Sequence, residues 1–205
     1  MRVKSHWFRS GAPKSAEQQA SAAAFIVWRT AHNMLQQMRK AGFQIDPGVA
    51  YFEFQREAMA FLIAVVDRIA HARMDPDTRA AFVQALVHHG ARTLQDNAAE
   101  LIGPRADGLS HGDAFIDLVN ELNGHYAEFG ADASASGESF APDFGFVRYF
   151  ASRLADTLPQ PDQRWALDQV MASEAPAAVQ TMQGALDNLL SSRPRSARRT
   201  TLSGD

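Results

Sequence analysis

Four side chains that can bind a metal or move protons occur in the stretch YFEFQREAMAFLIAVVDRIAHAR, residues 51–73. They are Glu53, Glu57, Asp67 and His71. At ~100° per residue they fall within one sector of a helix less than ~90° wide, opposite an apolar sector. Glu57 and His71 lie ~21 Å apart along such a helix, so they cannot share one ion. The pattern predicts a solvated stripe, with Asp67 and His71 as an exposed acid–base pair at i,i+4.

A second set of candidate ligands, Glu121, His125 and Glu128, spans about two turns of a later helical stretch. Carboxylates and imidazoles are common metal ligands, so these three and His71 are the candidate metal ligands of the chain. Bundles with two bridged metals use Glu-x-x-His pairs, and this sequence contains none. The pattern therefore favours a hydrated helix face with weak intrahelical pairs.

The motifs of several common chemistries are missing from the sequence. It contains no Gly-x-Gly-x-x-Gly, P-loop, Gly-x-Ser-x-Gly, His-Glu-x-x-His or EF-hand pattern. With no cysteine, it has no disulfide, thiolate zinc site, iron–sulfur cluster or cysteine nucleophile. No cofactor is expected, and a binding protein is favoured over an enzyme.

The first 14 residues form a predicted basic and aromatic N-terminal arm. Trp7, Phe8 and Arg9 are candidate interaction residues, because the arm is basic and has no acidic residue. Such a composition suits an acidic partner, a membrane surface or nucleic acid, and the alternative is a frayed end. A second basic segment, residues 193–205, is predicted to be a disordered tail with little to bury.

Residues that typically begin and end helices predict the elements that must position these side chains. A capping box at Ser15 begins the first helix, which Gly42 ends. Asp46, with proline next to it, is the predicted N-cap of the second helix. Asp75 repeats this pattern for a third helix that extends to Gly103, with Gly90 as a kink or a close helix contact.

The second half of the chain also shows helical spacing. A fourth helix follows Ser110, and residues 130–143 are small and polar, which predicts a long mobile loop. Three shorter helices follow, separated by Pro159, Pro161 and Pro176. The prediction is an all-α protein, a single irregular helical bundle of about seven helices in residues 15–192.

The composition limits the functional classes. With 20 basic and 23 acidic residues, the chain has no overall field that would attract nucleic acid. Its longest apolar run is about half of the ~20 residues that a transmembrane helix needs, and no secretory signal is apparent. The prediction is a cytoplasmic protein, bacterial in its alanine-rich helices, that acts as an adaptor, regulator or accessory subunit through protein contacts or self-association. The alternative is a helical small-molecule or metal-binding protein, including an enzyme, with ionisable side chains inside the bundle.

Overall fold

The computed structural model describes residues 15–131 and 140–190. These residues form α1 (Ala16–Lys40), α2 (Val49–His71), α3 (Pro76–Ile102), α4 (His111–Ala127), α5 (Phe144–Ala155), α6 (Gln160–Gln169) and α7 (Ala175–Leu190). A π-helical segment, Val170–Glu174, joins α6 to α7 without a break, so the described chain packs as six helical rods. The only extended pairing in these residues is an isolated bridge between Ala131 and Pro142. The prediction of one all-α bundle is confirmed, with six rods in place of about seven helices.

Side chains that cap the first turn explain where four of the helices begin. The Ser15 hydroxyl accepts from the Gln18 amide and the Gln18 side chain accepts from the Ser15 amide, which is the predicted capping box. Asp75, Ser110 and Asp143 each accept a hydrogen bond from the amide three residues later. These bonds satisfy N–H groups that would otherwise lack a partner.

The start of α2 differs from the prediction. Asp46 is not its N-cap: the helix begins at Val49, after Gly48, and no side chain caps it. Gly48 has φ 107°, a backbone conformation that residues with a Cβ rarely adopt. This glycine turns the chain before the helix can begin, two residues later than the Asp-Pro pair suggests.

Pro176 does not break the last helix, although the sequence predicts that it does. The Ala175 amide donates to the Val170 carbonyl, five residues back, in the wider π-helical pattern. A proline lacks the N–H of an α-helical bond, and its ring clashes with the carbonyl four residues before it. We attribute the π-helical segment to this proline, because the wider turn directly precedes it.

The helix α2 lies at the centre of the bundle and packs against α1, α3, α4, α5 and α7. Its side chains are buried on almost every side, including Phe54, Phe61, Leu62 and Val65. A helix that is covered all round does not keep one face for solvent. No helix of the described residues has the length and apolar character needed to cross a membrane.

Two glycines allow α3 and α4 to pack closely at one end. A Cβ on Gly112 would lie 3.3 Å from the Ala91 carbonyl oxygen of α3. One on Gly90 would lie 3.6 Å from the Phe115 side chain of α4 and 3.3 Å from the Met59 side chain of α2. The prediction of a close helix contact at Gly90 is thus confirmed, and α3 continues through it. Beyond these glycines, longer side chains line the space between the two helices.

Candidate functional site

A groove of about 560 Å³ lies between α2, α3 and α4. Its lining is mainly apolar. It includes Ala60, Ile63 and Ala64 on α2, Val83 and Val87 on α3, and Ile116 and Val119 on α4. Alanines on α2 leave space above this central helix, and the groove begins where the contact at Gly90 and Gly112 ends.

The groove is elongated. Its lining extends on α3 from Pro76 to His88 and on α4 from Ile116 to Tyr126. At 1.5 Å per residue these stretches are ~18 Å and ~15 Å long. It is therefore a trough along the two helices, long enough for about three helical turns.

Charged side chains meet at the end of the groove that lies farther from Gly112. The Asp67 carboxylate accepts from the Arg79 Nε at 2.6 Å and from its Nη2 at 2.7 Å. The third nitrogen, Arg79 Nη1, lies 3.0 Å from Nδ1 of His71. A guanidinium can only donate, so His71 Nδ1 accepts and the proton of the neutral ring is on Nε2. The bonds to Asp67 raise the pKa of Arg79.

Arg68 joins this end of the groove to the last turn of α4. Its Nη2 donates to the Tyr126 carbonyl at 3.0 Å and to the Phe129 carbonyl at 2.9 Å. The last carbonyls of a helix have no partner within the helix, and a cation near them is stabilising. Arg68 thus holds the end of α4 beside α2.

A buried ion pair lies behind the groove, between α2 and α5. Glu57, whose side chain is 7% exposed, accepts from Arg153 Nη2 at 2.6 Å and from Arg153 Nε at 3.2 Å. These bonds raise the pKa of Arg153. Stacked aromatic rings also join these helices: the ring centroids of Phe61 and Phe150 are 3.9 Å apart, and those of Tyr126 and Phe146 are 4.7 Å apart. The arrangement fixes α5 and α4 against α2.

The Tyr126 hydroxyl is buried and has no hydrogen-bond partner among residues 15–131 and 140–190. Burial, and then the charges of Glu57 and Tyr149, raise the pKa of Tyr126 well above its ordinary value. A raised pKa means that the folded state favours the neutral phenol. This contribution to stability is present below the unfolded pKa of ~10 and is lost as the pH rises through the folded value.

We expect Tyr126→Phe to raise the free energy of unfolding at neutral pH by ~1 kcal/mol, because it removes a buried hydroxyl that lacks a partner. The variant should also lose less stability than the parent above ~pH 10. Urea unfolding at both pH values measures the two effects. Tyr51→Phe is the control, because the Tyr51 hydroxyl bonds His32 at 3.1 Å and its removal should destabilise the protein. A destabilised Tyr126→Phe at neutral pH would contradict the unpaired state of this hydroxyl.

Comparison with known proteins gives no family for this chain. No protein-family model, curated protein or solved structure matches the chain. The groove and the charged side chains at its end are therefore the features of the described residues that indicate a function.

The predicted solvated stripe of α2 is only partly correct. Glu53 and His71 are exposed, as predicted, and Asp67 is half-buried. Glu57 is buried and paired with Arg153, so the prediction is wrong for this residue. Asp67 and His71 do not form a direct acid–base pair either, because Arg79 lies between them.

The structure does not bring the four candidate metal ligands together. Glu121, His125 and Glu128 are all exposed. His71 bonds a guanidinium, whose positive charge disfavours a cation at that position. Within residues 15–131 and 140–190, no group of three or more acidic or histidine side chains is close enough to hold a metal ion.

Other predicted residues lie elsewhere. A histidine of α3 outside the sequence-based candidates, His89, pairs with Glu17 of α1 at 2.6 Å and does not line the groove. Trp7, Phe8 and Arg9, the tail at residues 193–205, and residues 132–139 of the predicted loop all lie outside the described residues. Arg79, Arg68 and Arg153 were not among the sequence-based candidates. The only local signal for Arg79 is its position in the first turn of α3, beside the end of α2.

Proposed function

We propose that the protein is a binding protein that takes an amphipathic helix of a partner protein into the groove between α2, α3 and α4. The observation that carries this proposal is the shape of the groove, an apolar trough with a lining ~15–18 Å long. A helix of about 11 residues has the same length. Helices bind such grooves through apolar side chains at i, i+3, i+4 and i+7. Protein contact is thus the proposed mode of action.

The edges of the groove support the same occupant. Gln84, His88, Asn120 and Asn123 line it and are exposed, while Ile63 and Val119 beneath them are buried. An apolar centre with a polar rim is the usual composition of a protein interface. A bound helix would place its apolar side chains on the floor and its polar side chains beside the rim.

A small apolar molecule with a polar group is the second candidate ligand. The volume of about 560 Å³ falls within the ~300–1,000 Å³ of small-molecule sites, and Asp67 and Arg79 would provide the polar contact. The length of the groove favours a helix, because a compact molecule would leave much of the trough uncovered.

The proposal is tested with a displayed library of helical peptides about 12 residues long, with a constant polar face and random residues at i, i+3, i+4 and i+7. The groove variant is Ala80→Phe, since Ala80 is exposed on α3 and lines the groove. Its control is Ala81→Phe, because Ala81 is exposed on the same helix but does not line the groove. We expect the selected peptides to bind Ala80→Phe ~10–100-fold more weakly, as when one buried apolar anchor is lost.

The control should bind these peptides as the parent does, and both variants should unfold at similar urea concentrations. Peptides that bind Ala80→Phe and the parent equally would show that the groove is not their site. If only compact apolar acids bind, and Ala80→Phe weakens them, the small-molecule candidate replaces the helix.

The proposed setting is the cytoplasm. A chain of 205 residues without cysteine suits a reducing compartment. Self-association is a special case of the proposal, in which the bound helix comes from a second copy of this chain. Sedimentation of the parent and of Ala80→Phe distinguishes this case, since only the parent should then form dimers.

A further inference from the structure

The charged end of the groove opens into a smaller cavity of about 220 Å³. We call it the end pocket, and its lining includes Tyr126 and the polar side chains of Asp67, Arg68, His71, Arg79 and Asn123. Two guanidinium groups face one carboxylate here, so the polar lining has an excess of positive charge.

Hydrogen-bond donors are also in excess in the end pocket. Both carboxylate oxygens of Asp67 already accept from Arg79. Arg68 uses only Nη2 in its bonds to the Tyr126 and Phe129 carbonyls, and its Nε and Nη1 have no partner among the described residues. His71 directs Nδ1 at Arg79, which leaves the Nε2 proton for another acceptor. The Asn123 amide has no hydrogen bond within the described part of the chain, and it adds two N–H groups.

We infer that the end pocket binds the carboxylate of a glutamate or aspartate on the partner helix. This inference rests on the proposed function. A carboxylate is planar, accepts several hydrogen bonds and pairs with guanidinium groups in charge-assisted bonds. The end pocket offers this acceptor a guanidinium, an imidazole N–H and an amide, while both oxygens of its own carboxylate are paired with Arg79.

For a partner helix with an acidic residue at one end, the position of the end pocket determines the direction in which that helix binds. Apart from Asp67 and Arg79, the groove lining contains no aspartate, glutamate, lysine or arginine. The acidic residue must therefore lie beyond the apolar anchors, at the one end of the partner helix that reaches Tyr126. A helix bound in the opposite direction would place its acid beside Gly112, away from the donors.

The test adds one random position to the peptide library, about one helical turn beyond the apolar anchors. One version of the library has this position before the anchors, and a second version has it after them. We expect glutamate or aspartate to be enriched at the added position of the selected peptides. Asn123→Asp adds a carboxylate to the end pocket and should weaken these peptides about tenfold, the effect of one lost charge-assisted bond. Asn120→Asp is the matched control, since Asn120 lies on the same helix and lines the groove but not the end pocket. It should change affinity less than about threefold, because it adds the same charge outside the pocket.

A charge swap completes the test. Replacing the acidic residue of a selected peptide by lysine should weaken its binding to the parent and strengthen its binding to Asn123→Asp. Equal losses in Asn123→Asp and Asn120→Asp, or no enrichment of acidic residues, would overturn the inference. If either result is found but Ala80→Phe still weakens the binding of the selected peptides, the proposed function stands without the inference. If Ala80→Phe weakens the binding of no helical peptide, both proposals fail.

Discussion

Arg153→Met is expected to lower the free energy of unfolding by ~3–5 kcal/mol, because it leaves the Glu57 carboxylate buried without its partner. The Glu57 side chain is only 7% exposed, and Arg153 makes both of its hydrogen bonds. Methionine keeps much of the apolar length of arginine, so the loss reports the missing guanidinium. Urea unfolding of parent and variant at neutral pH measures it.

Replacing the other member of the ion pair should lower the free energy of unfolding by less. Glu57→Gln keeps the shape of the side chain, and Arg153, at 31% exposed, can still reach water with part of its guanidinium. We expect a loss of ~1–3 kcal/mol for this variant. Arg73→Met is the control, since Arg73 pairs with Asp187 at the surface, where such pairs contribute ~0–1 kcal/mol. A loss in Arg153→Met no larger than in this control would contradict a structural role for the buried pair.

The sequence predicted most helix positions because their signals are local. Ser15 and Asp75 bond amides three residues away, and side chains three and four residues apart lie on one face. Pro176 shows the limit of such signals. A helix tolerates an internal proline when the preceding turn widens. The proline by itself does not indicate whether that wider turn forms.

Glu57 could not be placed from its own helix. Glu53, Ala60 and Ala64, which are four, three and seven residues from Glu57, lie on the same side of the helix and gave the appearance of a polar face with small residues. The partner that buries it, Arg153, is 96 residues away in the sequence. A helical wheel describes one helix, whereas α2 is enclosed by five others.

The groove also could not be predicted from helices considered one at a time. It exists because Ala60 and Ala64 on α2 face the space between α3 and α4, which pack closely near Gly90 and Gly112. The sequence contains each of these residues, but whether they lie close together depends on the crossing angles between α2, α3 and α4. Arg79 joins Asp67 to His71 for the same reason: the end of α2 and the beginning of α3 lie side by side.

Phe61→Ala is expected to lower the free energy of unfolding by ~3–5 kcal/mol, the usual cost of a cavity in place of a buried aromatic ring. Phe61 is fully buried on α2. Its ring stacks on Phe150 of α5 at 3.9 Å and lies 6.3 Å from Tyr126 of α4. The variant therefore loses contacts to two of the helices that α2 holds in place. Thermal or urea unfolding measures the loss.

Phe144→Ala is the matched control, because Phe144 is 67% exposed and its replacement should change stability by no more than ~0.5 kcal/mol. Similar losses in the two variants would contradict the central position of α2. Tyr126 lines the groove and contacts Phe61, so the cavity should also loosen the end of α4. Peptides that bind the groove should then bind Phe61→Ala more weakly even under conditions where this variant is folded. Unchanged binding would show that the groove holds its shape without this ring.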